Sequence, residues 1–206
     1  MIRLLVATRN AHKTREYREL LGAEFKIDDL SQLPDLGSVD ESGASFAENA
    51  KLKALSISAK LSGLVMADDS GLEVEALGGA PGIRSARYAG EHATDEENIA
   101  QLLEQLDPVG EQARQARFRC VIVLAQTGKT LGIFQGTVDG TITSSPRGCG
   151  GFGYDPVYVP HDYRETFAEL SAEVKNTISH RARATAALKR HFRASGQITT
   201  AQPPQP

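Results

Sequence analysis

Two long β-type runs, residues 117–125 and 130–143, are separated by little more than a turn at Thr127-Gly128. Neighbouring strands joined this tightly pair antiparallel, because a parallel partner needs a crossover of a dozen or more residues. The N-terminus is built differently. Residues 2–7 (IRLLVA) form a short apolar run suited to a buried strand. It ends at Thr8-Arg9-Asn10, and a helical pattern follows over 12–21, with Asn10 a candidate N-cap and Tyr17, Leu20 and Leu21 on the apolar side. Strand, polar turn and helix form an α/β opening. Together the two features predict a mixed sheet with flanking helices.

The rest of the chain fits that class. Ser45 and Glu48 have capping-box spacing, and Phe46, Ala50, Ala54, Ile57 and Leu61 then recur as one helical stripe. Residues 64–67 read as a second short strand that stops at Asp68-Asp69-Ser70-Gly71, and 72–77 alternate like a half-exposed strand. Residues 78–82 form a loop. Thr94 and Glu97 repeat the capping spacing ahead of Ile99, Leu102, Leu103 and Leu106. A glycine-rich segment, 147–155, leads into Val157-Tyr158-Val159, and a basic helix ends near Phe192. With no internal repeat and no linker, residues 1–195 are expected to form a single domain, and 196–206 an unpacked, disordered tail.

The net charge of −3 and a pI near 6.0 argue against a dedicated nucleic-acid binder, which would be basic over a whole face. Charge is uneven, however: residues 175–193 are rich in Lys, Arg and His, as a local anion site or merely a solvated face would be. Cys120 sits in the apolar run CVIVLA and Cys149 among glycines, so a disulfide is not expected. The N-terminal apolar run is too short for a signal peptide and no stretch is long enough to cross a bilayer. The expected location is cytoplasmic, with no membrane partner.

Several segments carry possible chemistry. Asp68 and Asp69 follow a buried strand, where α/β sheets tend to bind ligands, and hard carboxylate oxygens suit Mg²⁺. The same Asp-Asp-Ser-Gly run is also good turn chemistry, and both readings stand at this point. Asp40 or Glu41 could add a metal ligand, or simply favour the positive end of the helix capped by Ser45. Thr8, Asn10 and Lys13 lie at a helix N-terminus whose free amides could cradle phosphate, although no GxxxxGK[ST] loop is present. Lys53 could reach the same ligand or stay solvated. In the segment 150–156 (GGFGYDP), glycines flanking Phe152 would let backbone approach a flat ligand, with Asp155 available to a polar edge or the metal. Ser179 could cap a last helix that opens with His180 and Arg181, beside Lys175.

The order of these pieces carries a resemblance. ATRN and HK within 7–13, ESG-x-x-F-x-ENA over 41–50, MADDSGLEVEALGGAPGIRSARYAG over 66–90, GGFGYDP, and KNTISHR over 175–181 together resemble the inosine/xanthosine triphosphate pyrophosphatases, which hydrolyse deaminated purine nucleotides. The likeness spans residues 2–192. It implies an elongated α/β fold, with a long twisted mixed sheet forming two lobes around a central cleft. It further implies a homodimer, Mg²⁺ dependence, and conversion of ITP, dITP or XTP to the monophosphate and pyrophosphate. Carried over by motif, Thr8, Arg9, Asn10, Ala11, His12 and Lys13 would hold the phosphates, with Lys53 assisting and Ser70 beside the substrate. Glu41, Asp68 and Asp69 would manage metal and water, with Asp69 the general base. Phe152, Gly153, Tyr154, Asp155, Lys175, His180 and Arg181 would form the base and phosphate side. Arg9 departs from the glycine common at that position, and would be strained if φ there were positive.

The expected reaction is attack of water on the α-phosphorus, with His180, Arg181 or backbone donors recognising the C6 oxygen that adenine lacks. Two other classes fit parts of the pattern: a nucleotide-binding regulator without catalysis, and a pyrophosphatase for pyrimidine or modified nucleotides. The three carboxylates argue against the first, and the GGFGYDP and SHR segments against the second.

Overall fold

The computed structural model describes residues 1–198 except Pro34, Asp35, Gly37, Ser38, Asp40, Val109, Glu111 and Gln112. Asp40 and the tail beyond Ile198 therefore lie outside the described residues. In chain order the elements are β1 (Ile2–Val6), α1 (Ala11–Leu21), β2 (Phe25–Asp29), α2 (Phe46–Ser58), β3 (Leu64–Val74), α3 (Asp95–Leu106), β4 (Gln115–Gln126), β5 (Lys129–Ile142), β6 (Tyr158–Pro160), α4 (Ala172–Ile178) and α5 (His180–Ala194). The strands form one mixed sheet in the order β2-β1-β3-β4-β5-β6. β1 runs parallel to β2 and β3, and every later pairing is antiparallel. Thr127 and Gly128, with φ of 48° and 73°, turn β4 into β5, the left-handed geometry that matches strand twist in a tight hairpin. No helix among the described residues is long and apolar enough to cross a membrane.

One expected boundary is absent. β3 does not stop at Asp68 but runs unbroken from Leu64 to Val74, in register with β4 from Val65↔Ala125 to Val74↔Ala116. Ladder pairing along its whole length overrides the turn preference of Asp-Asp-Ser-Gly. The glycine has another purpose. A Cβ on Gly71 would lie 2.4 Å from the Gly82 carbonyl oxygen and 2.5 Å from Ser85 Oγ, so glycine lets the 3₁₀ segment Gly82–Arg87 pack directly on the strand.

Strand alternation then divides the core. Met66 and its even-numbered neighbours face α1 and α5, where Leu4, Val6, Tyr17, Cys120, Leu188 and Phe192 pack with it. Val65 and Ala67 face the opposite way, against Ala50, Ala54 and Ile57 of α2. That helix is the expected stripe: Ile57 is 2% exposed, and truncating such a side chain to alanine costs about 2–5 kcal/mol. Farther along β3, Leu72 and Val74 pack with Phe118, Tyr158 and Phe167 and with α3 through Ile99 and Leu102. Ile198, which composition assigns to the unpacked tail, is instead buried in the α1/α5 cluster.

Ser45 Oγ accepts from the Glu48 amide, as expected, but the Glu48 carboxylate reaches back to Ala44 N rather than to the cap itself. At α3 the Thr94–Glu97 box is complete. The basic C-terminal helix is two helices. Ser179 ends α4 and caps α5, accepting from Ala182 N, so Lys175 and His180-Arg181 approach from separate axes.

Candidate active site

β1 pairs with β3 only as far as Val6↔Met66, extended by the Ala7 amide to the Met66 carbonyl at 2.7 Å. The chain then turns into α1 while β3 continues. A cleft of about 630 Å³ opens there, a size that suits a small-molecule ligand. It is lined by every residue expected from the motifs except Ala11 and His12, which are exposed outside it.

Asp68 and Asp69 sit mid-strand, on opposite faces of β3. Asp68 Oδ2 accepts from Lys13 Nζ at 2.9 Å and Ser70 Oγ at 3.2 Å, with Arg181 Nη2 at 3.7 Å. Asp69 faces α2, where Asn49 Nδ2 donates to Oδ2 at 3.1 Å and Lys53 Nζ lies 3.6 Å from Oδ1. The two carboxyls titrate in opposite directions. Burial would raise Asp68, but the charges of Lys13, Arg181 and Lys53 outweigh it and hold the group well below the usual range. Burial raises Asp69, and Lys53 and Lys13 only partly offset it. One carboxylate is thus pinned in its charged form while its neighbour is made more basic, the separation of roles expected of an acid–base site.

At the end of β1, Asn10 caps α1 as expected. Its Oδ1 accepts from the amides of His12 at 2.9 Å and Lys13 at 3.2 Å, and its own amide donates to Thr8 Oγ1 at 3.1 Å. Those first-turn amides are therefore satisfied within the protein, and Thr8, Arg9, Asn10 and Lys13 line the cleft. Arg9 is not among the residues with positive φ, so arginine at this position carries no backbone strain.

Lys53 Nζ also donates to Glu41 Oε1 at 3.2 Å, so Glu41 and Asp69 flank one cation position. Burial would lower Lys53, but Asp69, Asp68 and Glu41 raise it and keep it charged. Arg87 Nη1 approaches Glu41 from the 3₁₀ segment at 3.8 Å. Among the described residues no three His, Cys, Asp or Glu side chains form a ready-made metal cage. Mg²⁺ needs none, since it usually takes one or two carboxylates together with substrate phosphates. The hard oxygens of Glu41, Asp68 and Asp69 fit that requirement.

The glycine-rich loop forms the opposite wall. Gly151, at φ 73°, bends the chain so that Asp155 Oδ2 accepts from Phe152 N at 2.8 Å and from Lys175 Nζ at 2.6 Å. Asp155 is thus spent on closing the loop and holding Lys175, not on the carboxylates across the cleft. Gly153 N donates to Asp95 Oδ2 at 2.6 Å, and Tyr154 OH to the Ser85 carbonyl at 2.9 Å. The Phe152 ring has Lys175 Nζ 5.0 Å and the Arg181 guanidinium carbon 5.4 Å from its centroid. His180 stacks on Phe118 at 4.7 Å and 11°. Burial, reinforced by the charges of Arg181 and Lys175, lowers His180 well below its usual range and keeps the imidazole neutral. Its Nδ1 is buried and has no hydrogen-bond partner among the described residues.

Arg181 is 1% exposed. It bonds Glu16 through Nη1 and donates to Ser70 Oγ at 3.0 Å through Nη2. Glu16 also accepts from Lys175 Nζ at 2.8 Å. Burial alone would raise Glu16, but the Arg181 and Lys175 charges lower it. Glu16 lies outside every motif, and Asn49, the asparagine of the ENA motif, has no role assigned by it. Helical spacing could have found both: Glu16 follows Lys13 by three residues on α1, and Asn49 precedes Lys53 by four on α2, each on the same helix face as that lysine. Arg87, Asp95 and the apolar side chains of Leu30, Leu36, Val39 and Ile83 also line the cleft and were not anticipated.

Comparison with known proteins shows the family. The sequence model of the Ham1 family matches residues 4–191. A Geobacter sulfurreducens protein named dITP/XTP pyrophosphatase is 50% identical over 194 residues, covering 93% of this chain and 97% of that protein. Among solved structures, the Ham1 protein of Staphylococcus aureus superposes with a TM-score of 0.83 at 40% identity, covering 94% of this chain and 99% of the other. A HAM1 protein from Coxiella burnetii gives a TM-score of 0.84 at 38% identity, covering 94% and 100%.

Proposed function

The chain belongs to the Ham1 family, and from that premise we propose that it is a nucleoside-triphosphate pyrophosphatase acting on deaminated purine nucleotides. ITP, dITP or XTP is converted to the monophosphate and pyrophosphate. The observation that carries the reading is the adjacent pair Asp68 and Asp69, pushed to opposite protonation behaviour on one strand beside a cleft ringed by lysines.

In this reading, water attacks the α-phosphorus and the bond to the α,β-bridging oxygen breaks, with pyrophosphate leaving on its electron pair. Asp69 takes the water proton on Oδ1, the oxygen not held by Asn49. Lys13 and Lys53 stabilise charge on the departing phosphates. Arg181, committed to Glu16 and Ser70, orients the Asp68–Ser70 pair. Glu41, Asp68 and Asp69 are the oxygen donors available to Mg²⁺, which when bound neutralises triphosphate charge and polarises the phosphoryl group. Phe152 offers a stacking face to the base. The C6 oxygen of hypoxanthine or xanthine meets donors from Lys175, His180 or the backbone.

Residues 1–195 act in this proposal as one two-lobed domain in a cytoplasmic homodimer. Two free cysteines suit a reducing compartment. Pyrophosphate release, assayed with and without Mg²⁺ over ITP, XTP, ATP, GTP and dUTP, tests the reading. Metal-dependent release confined to ITP and XTP supports it, and absence of release from both excludes it.

A further inference from the structure

We propose that His12 is a positioning residue for base recognition: it braces the Phe152 ring from outside the cleft and ties the phosphate-binding turn to the base-binding loop. The inference rests on the pyrophosphatase reading. It departs from the motif-based expectation that His12 contacts phosphate.

The His12 amide is already engaged by Asn10 Oδ1 at 2.9 Å, and the residue does not line the cleft. Its imidazole instead stacks on Phe152, with ring centroids 5.4 Å apart and planes 23° from parallel. The backbone around Phe152 is fixed by Asp155 through the Phe152 amide and by Asp95 through the Gly153 amide. Those bonds hold the loop backbone; Lys175 and Arg181 approach the ring at 5.0 and 5.4 Å from its centroid, but these cations leave the tilt of its plane free. A flat ring packed on one side removes that freedom, so the ring presents a set face to a purine. His12 is well placed for this because it stands in the first turn of α1, between the Asn10 cap and Lys13. Phosphate bound at Lys13 steadies the same turn, and the brace passes that order to the base wall.

The test compares His12→Phe, His12→Ala and His12→Lys by steady-state kinetics on ITP, with thermal unfolding to check that each is folded. The brace predicts that phenylalanine retains the wild-type KM. Alanine and lysine raise KM about three- to tenfold, the worth of one aromatic pair, with a smaller change in kcat. If lysine retains the wild-type KM and phenylalanine does not, His12 acts through charge on the phosphates and the proposal is overturned. The contact itself is read without turnover. In the ligand-free wild type, Phe152 should shift the His12 ring-proton resonances, and Phe152→Leu should remove that shift. Unchanged resonances would refute the brace. A wild type that hydrolyses no nucleotide would instead count against the pyrophosphatase reading alone, since the resonance test stands apart from it.

Discussion

Asn49 holds Asp69 from behind: its Nδ2 donates to Asp69 Oδ2 at 3.1 Å while its Oδ1 accepts from the Gly43 amide at 2.8 Å. The side chain is fully buried, so its orientation is set by the fold rather than by solvent. Asp69→Asn should lower kcat by roughly 10²–10⁴, the range for loss of a general base. Asn49→Ala leaves the base present but unanchored and should cost about 10- to 100-fold, the value of one hydrogen bond to a charged group. Single-turnover kinetics on ITP checks the order. An Asn49 variant as slow as Asp69→Asn would show that the amide does more than hold the base.

The raised titration of Asp69 sets an acid limb. A base must be deprotonated to work, so kcat/KM should fall as pH drops through its pKa. Burial places that fall above the ordinary aspartate value of 3.8. Lys53 opposes the rise, so Lys53→Met should move the limb to still higher pH besides weakening substrate binding. A pH–rate profile of the two proteins decides it; a limb that stays in place or moves down assigns the acid-side ionisation elsewhere.

Glu16 links the site to acid stability. Its folded carboxyl is held below the 4.5 of the free group because Arg181 and Lys175 outweigh burial. A lowered carboxyl contributes stability that is present above its unfolded pKa and lost as pH falls through the folded value. Wild-type Tm should therefore decline below about pH 4.5 in part through this residue. Glu16→Gln should lose up to about 3–5 kcal/mol at neutral pH, where buried Arg181 keeps only Asp68, at 3.7 Å, as a carboxylate partner. The same variant should show a shallower dependence of Tm on pH in the acid range. Equal slopes would remove Glu16 from the account.

Base selectivity is testable at His180. A neutral imidazole offers one donor and one acceptor, and the buried Nδ1 lacks a partner among the described residues. His180→Ala should narrow the ratio of kcat/KM for ITP over ATP, because a site that pairs with the C6 oxygen discriminates through its polar contacts. If the ratio is unchanged, Lys175 or a backbone donor performs the discrimination.

Gly71→Ala should destabilise the protein by about 1–3 kcal/mol or more by driving a Cβ into the Gly82 carbonyl and Ser85. Urea unfolding measures it. Neutrality would mean that the Gly82–Arg87 segment can retreat from β3 without cost.

Much of this molecule is legible from sequence because local and global signals agree. The Asn10, Ser45, Thr94 and Ser179 caps each sit at a real helix start. The β4–β5 hairpin turns where its glycine stands. The signals fail where tertiary contact overrides them. Asp68-Asp69-Ser70-Gly71 has the composition of a turn, yet β4 pairs with it throughout. β2 goes unread because it is short and a charged residue, Asp29, falls on the buried face set by Phe25 and Ile27, where it accepts from Ser31 N at 2.9 Å. Arg181 reads as a phosphate ligand by motif, and only the structure reveals Glu16 beneath it. No pattern rule joins residues that far apart in the chain.

That distance has its own consequence for how the molecule comes into being. Glu16 and Arg181 stand 165 positions apart, and Lys175 lies 159 from the same carboxylate. A ribosome makes Glu16 well before its two cationic partners, so this carboxylate has neither of them to pair with until residues 175–181 have been made. The helix carrying Glu16 is released long before it has a reason to dock. Contacts of such span carry a larger loop-closure entropy than the helix caps and the β4–β5 hairpin, so this corner of the cleft is slow to close.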